Sequence, residues 1–172
     1  TDSAKMDKLE SAIEQGKLFS TILPEPDWTN TPNEKGEYSK LEKLPELSIT
    51  SLRWPDGKQD DRWFGWRNEN WGTKWEVNEF YNNIRHENQL TLSFDTAWAP
   101  PIAIYEALVD QGYSVRAYYN EPGCDFAGKW EDYEDNHVDS MSEQDDDWFV
   151  EDPLGQELEQ YYNILEHRAE WC

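Results

Sequence analysis

The sequence predicts an α+β fold, with helices packed on one face of an antiparallel sheet and an acidic hairpin and helix at the C-terminal end. Two observations predict it. Segments of helical period alternate along the chain with short segments of period two, giving the order helix, strand, strand, strand, helix, strand, hairpin, helix. The chain also carries ten Trp, nine Tyr and six Phe, which can build a core where aliphatic residues are scarce. High net charge with low hydropathy is otherwise the signature of disorder. The rings argue for a folded acidic protein, and 172 residues suit one domain with an elaborated end.

Ser3–Gln15 reads as an amphipathic helix with Ser3 as N-cap, Met6, Leu9 and Ile13 on one face, and Gly16 as its stop. Leu18–Leu23 reads as a short strand closed by Pro24 and Pro26. Residues 24–60, rich in Pro, Glu, Lys and Asn, read as a long surface insertion. A Trp-rich stretch, Arg62–Trp75, follows. Thr73–Ile84 and Gln89–Asp95 read as two strands joined through His86-Glu87-Asn88, the second with Leu90, Leu92 and Phe94 on one face. Pro100-Pro101 suits the first turn of a helix over Ile102–Gln111 that ends at Gly112. Tyr113–Tyr119 is a further strand. Phe126–Tyr133 and His137–Met141 form a hairpin around Glu134-Asp135-Asn136. Pro153 opens a last helix with Leu154, Leu158, Tyr161, Tyr162 and Leu165 on one side.

Charge is distributed unevenly. Residues 1–86 hold twelve Lys and Arg against sixteen Asp and Glu; residues 87–172 hold three against twenty-one. Residues 121–172 alone have seventeen acids and two bases, a net of −15. Solubility requires far less, and such concentration costs self-repulsion. A surface this negative repels nucleic acid and anionic lipid, so direct binding to either is not expected. No apolar run approaches the roughly 20 residues of a membrane span, and TDSAKMDKLE lacks the apolar run of a signal peptide. Cys124 and Cys172 make no disulfide framework. These features point to the cytoplasm and to a basic protein as partner.

Three stretches carry a resemblance: Asn70-Trp71-Gly72-Thr73-Lys74-Trp75; Phe94-Asp95-Thr96-Ala97-Trp98-Ala99-Pro100-Pro101; and Tyr119-Asn120-Glu121-Pro122-Gly123 with Phe126-Ala127-Gly128. In this order and spacing the chain resembles the YubB-type ferredoxin-like domain family of phages and plasmids over residues 1–141. The resemblance implies a βαββαβ-type ferredoxin-like sheet with helices on one face and supplies no catalytic residues. The family opens with a short strand before its first helix, whereas helical patterning here begins almost at Thr1. Residues 1–141 are therefore expected to form the ferredoxin-like domain with the 24–60 insertion. Residues 142–172 form an acidic segment and helix packed on it, and the stretch from Asp132 onward is expected to be the most individual part of the chain.

No chemistry-bearing motif stands out. There is no Ser elbow, P-loop or GxGxxG, and Cys124 lies beside Asp125, which disfavours a reactive thiolate. His86, His137 and His167 lack zinc spacing, and Asp145-Asp146-Asp147 lacks the Gly and closing Glu of a calcium loop. The expectation is a non-enzyme with no cofactor and no designed metal. Trp63, Trp66, Trp71, Trp75 and Trp98 read as core, with a flat-ligand cleft as the alternative; Lys74 suits a ring face. Asp95 and Thr96 read as caps of the Pro-Pro helix.

The candidate binding residues are therefore acidic: Glu131, Asp132, Glu134, Asp135, Asp139, Glu143, Asp145, Asp146, Asp147, Glu151, Asp152, Glu157 and Glu159. B-DNA carries about one charge per 1.7 Å, so a C-terminal helix of about 18 residues, ~27 Å long, matches a stretch bearing ~16 phosphate charges. That is near the −15 of residues 121–172. Trp130, Tyr133, Trp148 and Phe149 are placed to pin the acids to a rigid surface. The expected function is inhibition of a basic, nucleic-acid-handling host protein or defence complex by imitation of DNA or RNA. The alternatives are an adaptor that binds through its aromatic surface and a small-ligand protein with a Trp-rich cleft.

Overall fold

The computed structural model describes residues 3–42 and 49–168, with the helical backbone of 169–170. It divides into two compact units that meet in sequence at Ala107 and Leu108. The expected boundary after Met141 is not where the chain divides, because residues 108–141 share a core with the acidic segment. Cys172 and part of the 24–60 insertion lie outside the described residues.

In the first unit, α1 (Ser3–Glu14) buries Met6, Leu9, Ala12 and Ile13 at helical spacing. Gly16 follows at φ +62°, a conformation a Cβ would strain. The expected strand over Leu18–Leu23 is instead a short helix, α2 (Leu18–Ile22). Its capping group comes from far along the chain. The Glu76 carboxylate accepts from the N–H groups of Phe19 and Ser20 at 2.8 Å each and from the Ser20 hydroxyl at 2.9 Å. These bonds satisfy amides that a helix leaves open, and no local pattern reveals them.

The 24–60 stretch is anchored rather than merely superficial. Strands β1 (Lys40–Leu41) and β2 (Leu52–Arg53) pair antiparallel, and Ser39, Ser51, Leu52 and Asp60 are buried. The Trp-rich segment supplies α3 (Arg62–Asn70). The strand expected over Thr73–Ile84 begins only at Asn82, because Thr73, Glu76 and Val77 serve as loop bond, helix cap and core. Strands β3 (Asn82–His86) and β4 (Gln89–Ser93) then form the expected hairpin. Arg85 ties it to α1 through Asp7 at 2.6 Å, Glu10, and the Ser3 hydroxyl at 2.9 Å. Helix α4 (Ile102–Asp110) follows the proline pair, with Gly112 at φ +81° beyond it. Asp95 and Thr96 do not cap it. The helix starts six residues after Thr96, so Asp95 accepts from the Tyr81 hydroxyl and Thr96 donates to the Ala99 carbonyl.

The second unit is a three-stranded antiparallel sheet, β5 (Arg116–Glu121), β6 (Phe126–Glu131) and β7 (Glu134–Asp139), in the order β5-β6-β7. The first strand begins at Arg116 rather than Tyr113, which is itself buried ahead of the strand. The hairpin turn falls on Asp132 and Tyr133, at φ +51° and +65°, not on residues 134–136. Two consecutive positive φ values make a two-residue turn whose twist matches the strands, so Glu134–Asn136 stay in β7. Gly128 lets β6 cross under Tyr119: a Cβ there would lie 2.3 Å from the Tyr119 hydroxyl oxygen.

Helix α5 (Trp148–Glu151) and α6 (Pro153–Tyr162) follow, and α6 packs on β5 and β6. The core comprises Ala127, Met141, Phe149, Leu158 and Ile164, with Val138, Leu154, Tyr162 and Leu165 against it. The single last helix is interrupted. Asn163, at φ +48°, separates α6 from α7 (Ile164–Glu170), so no 18-residue rod exists. Among the described residues no helix is long and apolar enough to cross a membrane.

Candidate functional site

The acidic surface of the second unit is set by where its few cations go. Residues 108–172 contain only Arg116, Lys129 and Arg168 as bases. Arg116 holds Glu131 at 2.6 Å, and Lys129 bridges Glu131 at 3.3 Å and Glu157 at 2.9 Å. Tyr118 donates its hydroxyl to Glu157 at 3.0 Å and lies under the Lys129 ammonium. The Arg116 hydrogen bond holds the Glu131 carboxyl below its usual range; the Lys129 bond does the same for Glu157. Arg168 stacks on Phe149, donates to the Gln144 carbonyl at 2.7 Å, and stands 3.9 Å from Asp146. All three cations are thus consumed inside the unit.

The thirteen candidate carboxylates do not form one set. Glu131 and Glu157 are ion-paired: Glu131 ties β5 to β6 through Arg116, and Glu157 attaches α6 to the sheet through Lys129. Asp152 caps α6 by accepting from Leu154 and Gly155 at 2.9 and 3.1 Å. Asp145 accepts from the Trp148 N–H at 2.9 Å, and Glu159 from the Leu165 N–H at 3.0 Å. Asp135 accepts from the Tyr119 hydroxyl at 2.5 Å, and Asp139 lies 3.0 Å from His137. Among the described residues, Asp132, Glu134, Glu143, Asp147 and Glu151 carry neither an ion pair nor a side-chain hydrogen bond, and Asp146 is 84% exposed beside its long contact to Arg168. These six are the carboxylates without a close partner; Asp135, Asp139 and Asp145 are exposed as well and add their charge to the surface.

The segment bearing four of them is fixed. Phe149 is 2% exposed, Met141 is buried, and Asp125 accepts from the Ser142 N–H at 2.8 Å. A Cβ at Gly155 would lie 2.4 Å from the Trp148 carbonyl, so α5 and α6 touch through backbone. Sequence reading singled out Trp148 and Phe149 as pins but missed Asp125, Arg116 and Lys129. The scarcity of bases in an acidic segment is the signal for the last two, since a lone cation there is drawn into internal pairing.

The tryptophans of the first unit do not gather around one cleft. Trp63 and Trp71 are core, whereas Trp75 and Trp98 are 45% and 71% exposed. Two arginines are interleaved with the rings. Arg67 lies over Trp63 and Trp71 and chelates Glu25; Arg62 lies over Trp28 and Trp54 and chelates Asp60. Lys74 stands over Trp75 as its ring-face partner. Gly72, at φ +81°, makes both a turn and a close approach, since a Cβ would meet the Pro100 carbonyl at 3.2 Å. Among the described residues no three His, Cys, Asp or Glu side chains are grouped to hold a metal.

Asp60 gives the first unit an acid-sensitive joint. Burial pushes its carboxyl up, but the Arg62 guanidinium at 2.8–2.9 Å, together with Ser39, outweighs this and holds it below the ordinary aspartate value. A carboxyl depressed in the folded state stabilises above its unfolded value and loses that contribution as pH falls through the folded one. The tryptophan-fluorescence midpoint in urea is therefore expected to drop steeply below about pH 4. Asp60→Asn is expected to flatten that limb and to cost about 2–4 kcal/mol at pH 7.

A family model described as the ferredoxin-like domain in Api92-like protein matches residues 70–164. The match covers more than half of the chain. It begins after residue 69 and takes in the acidic stretch as far as residue 164. No curated protein and no solved structure matches the chain.

Proposed function

The chain belongs to the ferredoxin-like domain family of Api92-like proteins, and from that premise we propose that it is a non-enzymatic accessory protein of a phage or plasmid, of the YubB type. In this reading it acts in the host cytoplasm, where the acidic face of its second unit occupies the nucleic-acid site of a basic host protein or defence complex. One observation carries the reading. Asp132, Glu134, Glu143, Asp146, Asp147 and Glu151 stay exposed while Arg116 and Lys129 are spent on other carboxylates and Arg168, stacked on Phe149, reaches Asp146 only at 3.9 Å. A merely solubilising tail needs no such scaffold. The break at Asn163 changes the form of the imitation: the charge lies on a hairpin turn and a pinned segment, not along one helical rod.

Electrostatic steering makes the predicted affinity fall steeply with salt. Captured from host lysate on the immobilised protein, the partner is expected to be basic and to be released by duplex DNA or by RNA. Partners that are not basic, or that nucleic acid fails to displace, overturn the reading. A second reading, an aromatic adaptor, is favoured by Trp98, a bulky residue held at φ +71° with its ring in solvent. Binding that depends on Trp98 and ignores nucleic acid selects it.

A further inference from the structure

Strand β7 is an open edge, and its backbone register shows which groups it offers. The two-residue turn makes Glu131 and Glu134 a hydrogen-bonded pair, and in an antiparallel ladder such pairs alternate. Glu134, Asn136 and Val138 therefore bond to β6, while the N–H and C=O groups of Asp135, His137 and Asp139 point out of the sheet. Among the described residues nothing pairs with those outward groups, and these three residues are exposed.

Side chains fix the chemistry of this edge. Val138 packs toward the core shared with α6. Asp135, His137 and Asp139 lie on the other face, where the His137 ring rests 5.9 Å from Tyr119 and 5.1 Å from Phe126. The Tyr119–Asp135 and His137–Asp139 contacts hold both carboxylates beside the unpaired backbone. With Glu134 next along the strand, the edge is acidic on both faces. Exposed edges are normally guarded by charge. A second β7 would bring carboxylate against carboxylate, so this guard excludes another copy of the chain and admits a strand with Lys or Arg at alternate positions.

We propose that β7 binds a basic extended segment of a protein partner by strand addition, its main chain pairing with Asp135, His137 and Asp139. The inference rests on the acidic-face reading and specifies how that face is engaged.

The probe is an eight-residue peptide alternating Lys and Val, compared with the same peptide N-methylated on every residue to remove the main-chain donors of both edges. Charge is identical in the two. Titrated by fluorescence anisotropy against the full chain, the unmodified peptide is expected to bind at least about tenfold more tightly. His137→Pro, which removes an outward N–H without breaking the β6 ladder, is expected to erase the difference. Equal binding of both peptides overturns strand addition. So does binding of poly-lysine with neither peptide bound, and in both cases the acidic-face reading stands. Failure to bind poly-lysine removes that reading and this inference together. Self-association lost in His137→Pro makes the occupant a second copy, which also overturns the proposal.

Discussion

Trp71→Ala is expected to lower the stability of the first unit by about 3–5 kcal/mol, a large part of the ~5–15 kcal/mol margin of an ordinary domain. Trp71 is fully buried, with Phe19 edge-on at 5.9 Å and Trp66 edge-on at 5.8 Å. Its Nε1–H donates to the Leu23 carbonyl at 2.9 Å, and Arg67 lies 4.6 Å from the ring centroid. Truncation therefore opens a cavity, orphans a carbonyl behind α2, and strips one ring from a guanidinium that is only 11% exposed. Trp71→Phe keeps much of the packing and loses the hydrogen bond, so its cost should be about 1–2 kcal/mol. Trp98→Ala is the control: a ring 71% exposed should move stability by no more than about 0.5 kcal/mol. Urea unfolding followed by far-ultraviolet circular dichroism orders the three. A Trp71→Ala variant as stable as Trp98→Ala would contradict the packing described above.

The parts of the fold legible in the sequence were those whose cause is local. Met6, Leu9 and Ile13 recur at helical spacing, Leu90, Leu92 and Phe94 alternate, and both signals match the elements found. The α+β class follows from them and agrees with the family match. What failed had a distant cause. The α2 segment is short, apolar and closed by Pro24, which suits a strand, yet it is helical with Glu76 capping its amides. Asn163 fits a helical pattern yet adopts a left-handed conformation that splits the last helix. At the candidate site, composition located the acidic unit but could not separate exposed carboxylates from those spent as caps or ion pairs. Asp152 is marked as a cap by Pro153 after it, but Glu157 looks no different in sequence from Glu151; only Lys129 distinguishes them.

Reversing Asp146, Asp147 and Glu151 together to Lys is expected to weaken binding of the captured basic partner, and of poly-lysine, by about 100-fold at low salt. The triple change shifts the net charge by six. At roughly 0.5 kcal/mol per elementary charge for exposed pairs, this amounts to about 3 kcal/mol, or about two decades in Kd. The three are chosen because none makes a side-chain capping bond: Asp146 is 84% exposed, and Asp147, at the N-cap position of α5, and Glu151 make no side-chain bond among the described residues. Circular dichroism should therefore be unchanged. Asp145→Lys and Asp152→Lys would confuse the result, since each removes a cap worth about 1 kcal/mol and loosens the segment that presents the charge. The salt dependence is the sharper readout. If the face acts through its field, the logarithm of Kd should lose most of its slope against the logarithm of ionic strength in the triple variant. Affinity and slope that both survive reversal would move the contact off this face and onto the exposed aromatic residues of the first unit.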